Sequence, residues 1–334
     1  MRSAGFQPAE PLTVWAVSDG RAGIENQALG LAEAIGRRVP ANIRVKRVRL
    51  RTPWCWLPPG FVPAPRQALA LGADPIEPPW PDIWVGCGRA SIPFSMGVRT
   101  WSRGKTLVAQ LQDPRVNPRE FDLVVPPVHD GLEGQNVLPI IGACHRVHAG
   151  LLEDARMAYP IALDDFPSPR FAVLIGGKSK RQDISAKRAR EIARALVEAQ
   201  KRTGGALMVT LSRRTSEEAR LQLRTWLAPH CALFYEGEGQ NPYHAMLACA
   251  DAVFVTADSV NMATEAAATG KPIYVLPVDG HAGKLQRFYA ALHKRGCAKM
   301  FDGALDFWTY PPLLETDRVA AALISAWAAR AGAR

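Results

Sequence analysis

Residues 250–272, ADAVFVTADSVNMATEAAATGKP, contain a strand, a turn and a helix in direct succession. The apolar run at 252–256 is short and uninterrupted, which is typical of a buried strand in a parallel sheet. Asp258 or Ser259 can cap the helix that follows, and the Gly-Lys-Pro at 270–272 ends it before the next apolar run. This stretch therefore predicts a β-α-β unit, with its polar turn at the carboxyl end of the strand.

The same alternation of short apolar runs and helical periodicity extends along the whole chain. Helical faces are formed by Ala28, Leu31, Ala32 and Ile35, and by Ala189, Ile192, Ala193 and Leu196. The sequence predicts an α/β protein with two Rossmann-like domains. We expect its strands at 12–17, 43–50, 83–86, 106–111, 123–126, 171–175, 207–211, 252–256 and 273–276.

One segment interrupts both periodicities. Between 158 and 170 the chain carries three prolines and two adjacent acids, which is typical of an interdomain linker. We expect an N-terminal domain at 1–160 on the acceptor side of a cleft and a C-terminal domain at 161–315. A final helix at 316–334 is free to return to the N-terminal domain.

The charge indicates anionic partners. The net charge is +10, with most of the excess in the second half of the chain. No basic stripe with interleaved aromatic residues and no recognition-helix signature is present, so nucleic acid is not an expected partner. Phosphates on a small ligand, or lipid headgroups, explain the positive charge at least as well as nucleic acid would.

The cysteines and the termini limit the chemistry and the location. The six cysteines are scattered without a C-x-x-C pair, so we expect ordinary thiols. The spacing of His129, His145 and His148 matches no metal-ligand pattern, and no metal or cofactor is expected. Neither 1–11 nor 319–329 has the length and apolarity of a signal peptide or membrane span. We expect a cytoplasmic protein, with attachment to the inner face of the membrane as the alternative.

Two loops in the second half are suited to a pyrophosphate. The segment 176–181, GGKSKR, follows a strand with two glycines, three cations and a hydroxyl. The next strand ends in Ser212-Arg213-Arg214-Thr215, which adds two guanidiniums for bidentate phosphate contacts. Lys178, Arg213 and Arg214 are the candidate cations. Solvated charge on a loop is the alternative for both segments.

Glu265 is an unusual acid in a helix of small residues. Because the helix begins beside a strand end, its carboxylate can accept hydrogen bonds from both hydroxyls of a ribose. Compensation of the helix dipole is the alternative role.

The first polar loop, 18–27 (SDGRAGIENQ), lies between a strand and its helix. Its glycines allow a ligand to approach the backbone, and the helix start offers N–H groups to an anion. Asp19 and Glu25 are the candidate general bases, with His129 as a third. A tight turn with Asp19 or Asn26 as a helix cap is the alternative.

The stretch 250–272 resembles the nucleotide-sugar signature of GT-B glycosyltransferases, especially the enzyme that adds N-acetylglucosamine to lipid-linked muramyl peptide. The resemblance rests on Ala-Asp before the strand, Asp258-Ser259, Thr264-Glu265 and Gly-Lys-Pro at 270–272. It implies that Glu265 binds ribose. Met262 stands where that enzyme has threonine, so one diphosphate contact is lost. It also implies diphosphate contacts for Ser259, Val260 and Asn261, and positions near the base for Gln240 and Met246.

Nearly the whole chain is similar to a second group, the mitochondrial fission (elongated-mitochondria) family and its bacterial relatives. The motifs that carry this resemblance are 18–27, LQDPR at 111–115, IGG at 175–177, SRRT at 212–215 and the block 257–272. The family implies a GT-B-like architecture and, for plant members, recruitment of a dynamin-type fission protein to the outer mitochondrial surface. Ile24 stands where many relatives have histidine, the obvious general base.

Two regions of the first half are expected to face an acceptor. Besides the candidate bases, the acceptor side includes Gly20, Arg21, Gly23, Asn26, Gly88, Arg89 and Asp113. The cations of 44–51 precede Trp54, Trp56, Leu57 and Phe61, a pattern that suits an anionic membrane surface or a lipid-linked acceptor. A strand edge running into a packed loop gives the same pattern.

These observations favour a nucleotide-sugar-dependent glycosyltransferase of GT-B type, inverting and metal-independent, acting on a lipid-linked or envelope glycan. Its partner is a nucleotide sugar, and cations of the protein stabilise the departing nucleoside diphosphate. One alternative is a non-catalytic GT-B scaffold that recruits a protein at a membrane. The other is a nucleotide-sugar epimerase. The oligomeric state does not follow from the sequence.

Overall fold

The computed structural model describes residues 8, 10–179 and 181–332. The chain forms two compact units, one reaching to Arg146 and completed by the segment from Leu314, the other spanning Val147–Leu313. The strands are β1 Leu12–Ser18, β2 Ala41–Arg47, β3 Ile83–Cys87, β4 Leu107–Leu111, β5 Leu123–Val125, β6 Arg170–Ile175, β7 Gln182–Asp183, β8 Ala206–Leu211, β9 Leu233–Tyr235, β10 Ala252–Thr256, β11 Ile273–Leu276, β12 Asp279–Gly280 and β13 Ala298–Met300. The helices are α1 Ala22–Gly36, α2 Ile92–Trp101, α3 Ala149–Ala158, α4 Ala186–Thr203, α5 Glu217–Trp226, α6 Tyr243–Cys249, α7 Val260–Ala267, α8 Leu285–Lys294 and α9 Glu315–Gly332.

The first unit is built on a five-stranded parallel sheet of order β2-β1-β3-β4-β5. Strand β3 is buried at every position, and the expected face of α1 (Ala28, Leu31, Ala32, Ile35) packs against the sheet as predicted. The chain turns to opposite sides of β1, toward β2 and then toward β3. The carboxyl ends of β1 and β3 therefore form the topological switch point, where open α/β sheets bind ligands.

The second unit contains a six-stranded parallel sheet of order β13-β11-β10-β6-β8-β9. Its central strands are buried at every position except Arg170 of β6, and the predicted face of α4 (Ala189, Ile192, Ala193, Leu196) lies in the same core. Here the chain turns to opposite sides of β6, so the switch point lies between β6 and β10. The loops 176–181 and 257–259 follow these two strands, as the sequence predicted.

The two sheets confirm an α/β protein with two Rossmann-like domains. Strands β9 and β13 were not predicted, because they are short outer strands and carry no buried apolar run. The strand expected at 43–50 ends at Arg47. Beyond it, Leu50 makes only an isolated bridge with Leu69.

The units meet along the chain after Arg146, earlier than the boundary expected at 160. Helix α3 belongs to the second unit because it packs against α6. The supposed linker at 158–170 also lies within that unit, and Leu163 in its middle is buried. Helix α9 packs against α1 in the first unit. It adds Val319, Ala320 and Leu323 to the core there.

Candidate functional site

The loops after β6, β8 and β10 are joined by one buried carboxylate, Asp258. Its side chain is 0% exposed. Oδ1 accepts a hydrogen bond from Thr256 Oγ1 at 2.7 Å, and Oδ2 accepts one from the Gly177 N–H at 3.0 Å. Arg214 Nη2 lies 3.1 Å from Oδ2 and supplies the opposite charge. Asp258 thus fixes the relative positions of three strand ends at the switch point of the second sheet.

Glycine is required on the β6 side of this arrangement. A Cβ atom at Gly176 would lie 2.3 Å from both carboxylate oxygens of Asp258. A Cβ atom at Gly177 would lie 2.2 Å from the Arg214 carbonyl oxygen. The Gly176 N–H donates to Thr256 Oγ1 at 2.7 Å, and that of Gly177 to Asp258. Because both N–H groups are already used, the predicted diphosphate contacts from these two glycines are not supported.

The cations of the two loops have different environments. Arg214 is bound to Asp258 and donates to the Lys178 carbonyl oxygen at 3.2 Å. Lys178 and Arg213 are exposed, and within the described residues their side chains make no hydrogen bond or ion pair. Lys180, another cation of the predicted segment 176–181, lies outside the described residues. The cations available to an anion are therefore Lys178, Arg213 and Arg181, which is also exposed and whose side chain makes no hydrogen bond or ion pair among the described residues.

The two hydroxyl residues of the β8 loop have internal roles. Ser212 Oγ accepts from the Arg214 N–H at 3.1 Å, which closes the turn. Thr215 is buried and donates to the Gly176 carbonyl oxygen. Both were predicted to bind diphosphate, whereas the structure shows them holding the loop in shape.

Helix α7 begins beside Asp258. Ser259 is its N-cap, with Oγ accepting from the Met262 N–H at 3.4 Å. Of the two capping residues expected from the sequence, Ser259 fills the role and Asp258 connects the loops instead. The N–H of Val260 lies in the first turn, where a helix provides no backbone partner. Asn261 is the second residue of the helix and is half-buried.

Glu265 lies one turn further along α7 and is half-buried. The Tyr243 hydroxyl, at the start of α6, donates a hydrogen bond to Glu265 Oε2. Among the described residues this carboxylate takes part in no ion pair. Burial raises the pKa of Glu265 to about 7, an increase that the hydrogen bond from Tyr243 partly opposes. The result is a carboxyl group that gains or loses its proton near neutrality and has no cation to satisfy it.

The two residues predicted to lie near a base differ in accessibility. Gln240 is exposed, and its Nε2 is 3.5 Å from the Ala158 carbonyl oxygen. Met246 is fully buried in α6, so its side chain has no surface open to a base. The position of Met246 near a base stays a prediction, and α6 turns its side chain into the core. Tyr243 is the residue of this helix that reaches Glu265, and no sequence motif indicated it.

In the first unit, both candidate bases are held by arginines. Asp19 accepts from the Arg21 N–H at 3.1 Å and from Arg21 Nε at 2.8 Å. Glu25 binds Arg47 through both oxygens, at 2.7 and 3.0 Å. A carboxylate that must give up a guanidinium before it takes a proton is a poor general base. His129, the third candidate, is 4% exposed and lies in the short helical turn 128–130.

The remaining acceptor-side residues form two groups. Gly20, Arg21, Gly23 and Asn26 are exposed around the start of α1. Gly88, Arg89 and Asp113 lie at the carboxyl ends of β3 and β4. A Cβ atom at Gly88 would lie 2.9 Å from Ile24 Cγ2, which brings the two loops into contact.

Several other sequence predictions concern metals and membranes. The structure shows no group of side chains suited to a metal ion in the chain it describes. Trp56 and Phe61 are each 73% exposed, on two short helical turns. No helix within 8, 10–179 and 181–332 has the length and apolarity needed to cross a bilayer.

Comparison with known proteins identifies the family. A family model described as Mitochondrial fission ELM1 matches residues 22–327. The chain belongs to the mitochondrial fission ELM1 family. It is 30% identical over 287 residues to the mitochondrial fission protein ELM1 of Arabidopsis thaliana, covering 78% of this chain and 67% of the relative. It is 23% identical over 351 residues to the uncharacterized protein RP120 of Rickettsia prowazekii (strain Madrid E), covering 92% and 97%.

The fold of this family member is GT-B-like. An S. aureus MnaA–UDP co-structure matches with a TM-score of 0.51 at 12% identity, covering 93% of this chain and 87% of that chain. In this member of the ELM1 family, Ile24 packs against the core of the first unit. Met262 is half-buried on α7, and its N–H is bound by the cap residue Ser259.

Proposed function

We propose that this chain binds a nucleoside diphosphate sugar at the switch point of its second sheet and transfers the sugar to an acceptor. The observation that carries the proposal is that two exposed cations without a partner among the described residues follow β6 and β8, while a carboxyl in no ion pair lies on the helix that follows β10. Lys178 and Arg213 are suited to a diphosphate, and Glu265 is suited to a ribose. The contacts of Asp258 hold the ends of β6, β8 and β10 together beside these residues.

The diphosphate is assigned to the cations and the start of α7. Arg213 offers a planar guanidinium for two phosphate oxygens, Lys178 offers a point charge, and the Val260 N–H adds a donor at the positive end of a helix. The S. aureus MnaA co-structure, which has the same fold, contains UDP. UDP is therefore the first nucleotide to test.

The ribose is assigned to Glu265. The ionised carboxylate accepts hydrogen bonds from both ribose hydroxyls, with Tyr243 occupying one further position on Oε2. The charged form is the better acceptor, and the pKa near 7 makes its population depend on pH in the physiological range. Nucleotide affinity should therefore increase as the pH rises through 7.

In the transfer step, the acceptor oxygen forms a bond to the anomeric carbon while the bond from that carbon to the phosphate oxygen breaks. The nucleoside diphosphate leaves with the electron pair, and Lys178 and Arg213 stabilise its charge. The acceptor proton passes to a base, for which Asp19 and Glu25 are the candidates. Each would first have to exchange its hydrogen bonds to Arg21 or Arg47.

Binding without transfer is the second candidate function. It is favoured by the same two ion pairs, because no carboxylate of the first loop is held ready to accept a proton. In that case a nucleotide sugar would stabilise one form of a scaffold that recruits a partner protein.

Titration calorimetry with UDP, GDP and ADP and the corresponding sugars tests the binding step. We expect one nucleotide to bind, to raise the melting temperature and to lose about tenfold in affinity in Arg213→Gln. Arg202→Gln is the matched control, because Arg202 is an exposed arginine of the same unit whose guanidinium binds the Gly303 carbonyl oxygen. Failure of every nucleotide to bind at millimolar concentration would refute both candidate functions.

Product analysis then separates the two. Transfer predicts release of the nucleoside diphosphate, with Asp19→Ala or Glu25→Ala abolishing it and leaving nucleotide affinity unchanged. A scaffold predicts nucleotide binding with no release in any variant.

A further inference from the structure

A pocket of about 420 Å³ lies in the first unit, apart from the loops that carry the proposed function. It lies at the carboxyl ends of β3 and β4, and three segments form its walls: 58–59, 88–92 and 110–115. Its volume falls within the range of small-molecule sites in proteins. Its position at strand carboxyl ends is where open α/β sheets bind ligands.

The backbone of the third wall is strained. Gln112 and Arg115 adopt φ values of 68° and 58°, in the left-handed region that non-glycine residues rarely occupy. Gln112 is held there by two bonds, from its N–H to the Val125 carbonyl oxygen at 2.9 Å and from Nε2 to Gln27 Oε1 at 3.1 Å. Strain of this kind persists only where surrounding contacts impose it, and it concentrates at ligand sites.

The first wall is held in place by an arginine of the second. Arg89 Nη2 donates to the Leu57 carbonyl oxygen at 2.8 Å, immediately before the two prolines that line the pocket. The same Nη2 also donates to the Trp56 carbonyl oxygen at 3.5 Å. Nε and Nη1 of this guanidinium make no hydrogen bond or ion pair among the described residues.

The lining combines apolar surface with positive charge. Pro58, Pro59, Ile92 and Pro114 provide flat apolar contacts, while Arg89 and Arg115 provide two guanidiniums. The single acid, Asp113, is already bound by Arg115, through Nε at 3.0 Å and the N–H at 2.9 Å. The pocket therefore has an excess of positive charge, and the outer nitrogens of Arg115 have no partner among the described residues.

We infer that this pocket binds a small molecule that joins an apolar face to an anionic group, with the anion on Arg115 and Arg89. The apolar face lies against the prolines, and the forked guanidiniums bind a phosphate or carboxylate. The inference that a ligand binds here depends only on the pocket itself. The identity of the ligand as the glycosyl acceptor rests on the proposed function.

Calorimetry with phenyl phosphate tests the inference. Phenol and inorganic phosphate, titrated separately, represent the apolar part and the anionic part of this probe. We expect phenyl phosphate to bind at least tenfold more tightly than either part. Arg115→Gln should weaken binding about tenfold, and Pro58→Glu, which places a like charge on an exposed wall residue, should weaken it at least as much. Arg119→Gln is the matched control, an exposed arginine of the same loop that does not line the pocket.

Two results would overturn the inference. One is unchanged affinity in both Arg115→Gln and Pro58→Glu, or no binding at millimolar phenyl phosphate. The other is a loss that follows Arg213→Gln, which would locate the anion in the second unit. UDP titrations on the same variants keep the two proposals separate, because Arg115→Gln should leave UDP affinity unchanged.

Discussion

Both units place carboxylates in the loops at their switch points, yet the two sets have opposite environments. Asp258 in the second unit is 0% exposed and binds groups from three loops. Asp19 and Glu25 in the first unit pair with Arg21 and Arg47, whose side chains are 71% and 65% exposed. Asp258 is fully buried and links three strand ends, whereas Asp19 and Glu25 keep 18% and 17% of their side chains exposed and bind arginines that lie largely in solvent. Carboxylates near the switch points of the two sheets thus have different surroundings and different partners.

Removing the buried carboxylate is the strongest test of this contrast. Asp258→Ala leaves Arg214 without its partner and the Gly177 N–H unsatisfied, so we expect a loss of about 3–5 kcal/mol in the free energy of unfolding. Asp19→Ala should cost at most about 1 kcal/mol. Urea unfolding of both variants measures the difference.

If Asp258→Ala does not fold, Asp258→Asn keeps the shape of the side chain and isolates the charge. We expect it to fold, with a cost of about 1–3 kcal/mol and weaker UDP binding. Equal costs for the variants of Asp19 and Asp258 would mean that burial does not distinguish the two sites.

The two neighbouring arginines sharpen the comparison within the second unit. Arg214→Gln should lower the free energy of unfolding by about 2–3 kcal/mol, since it strips a buried charge of its partner. Arg213→Gln should leave stability unchanged and weaken UDP binding about tenfold. Thermal melting and calorimetry on the same preparations measure both quantities. Equal effects of the two variants on stability and on UDP affinity would mean that Arg214 and Arg213 do not have separate structural and binding roles.

Glu265 should show the opposite pH dependence from a surface carboxylate. Its pKa in the folded chain is about 7, above the ordinary 4.5, so the folded state holds its proton more tightly than the unfolded state. Stability from this group is therefore full below about pH 4.5 and is lost as the pH rises through 7. Because the side chain is only half-buried, we expect a loss of about 1–2 kcal/mol between pH 5 and pH 8.

Glu265→Gln replaces the titrating carboxyl with a neutral amide, so the free energy of unfolding should no longer fall between pH 5 and pH 8. Urea unfolding at several pH values measures this change, with Glu25→Gln as the control for a carboxylate that is bound to an arginine. The ratio of UDP affinities in the native chain and Glu265→Gln should rise over the same pH range. A ratio independent of pH would mean that Glu265 does not contact the nucleotide.

The smallest effect is expected at the surface of the first unit. Arg47→Gln removes a bidentate partner of Glu25, but the guanidinium is largely in solvent. We expect less than about 1 kcal/mol at low salt, and no difference from the native chain at 1 M salt, where screening is strong. A larger, salt-independent loss would show that this pair is structural.

The sequence alone predicted the central strands of both sheets, because these strands are continuous apolar runs, such as β3 and β10. It was insufficient for β9 and β13, whose residues are partly exposed at the outside of the sheet. The unit boundary was also misplaced, because the packing of α3 on α6 joins residues far apart in the chain.

The candidate site was also predicted only in part from the sequence. Strand-end position was enough to select the loops at 176–181 and 212–215 and the start of α7. It could not assign roles within them, since the partner of Asp258 is 44 residues away and that of Glu265 is 22 residues away. Nor could it show that Arg47, on the neighbouring strand β2, binds Glu25.

The return of α9 to the first unit has a consequence for synthesis on the ribosome. Val319, Ala320 and Leu323 complete the core around α1, and Arg330 binds Asp122 at 2.7 Å. The strands of the first sheet are therefore synthesised before α9, and the part of their core that α9 covers is buried only after that helix has been made. Every segment of the second unit precedes α9 in the chain, so all of that unit is synthesised before the first unit receives this part of its core.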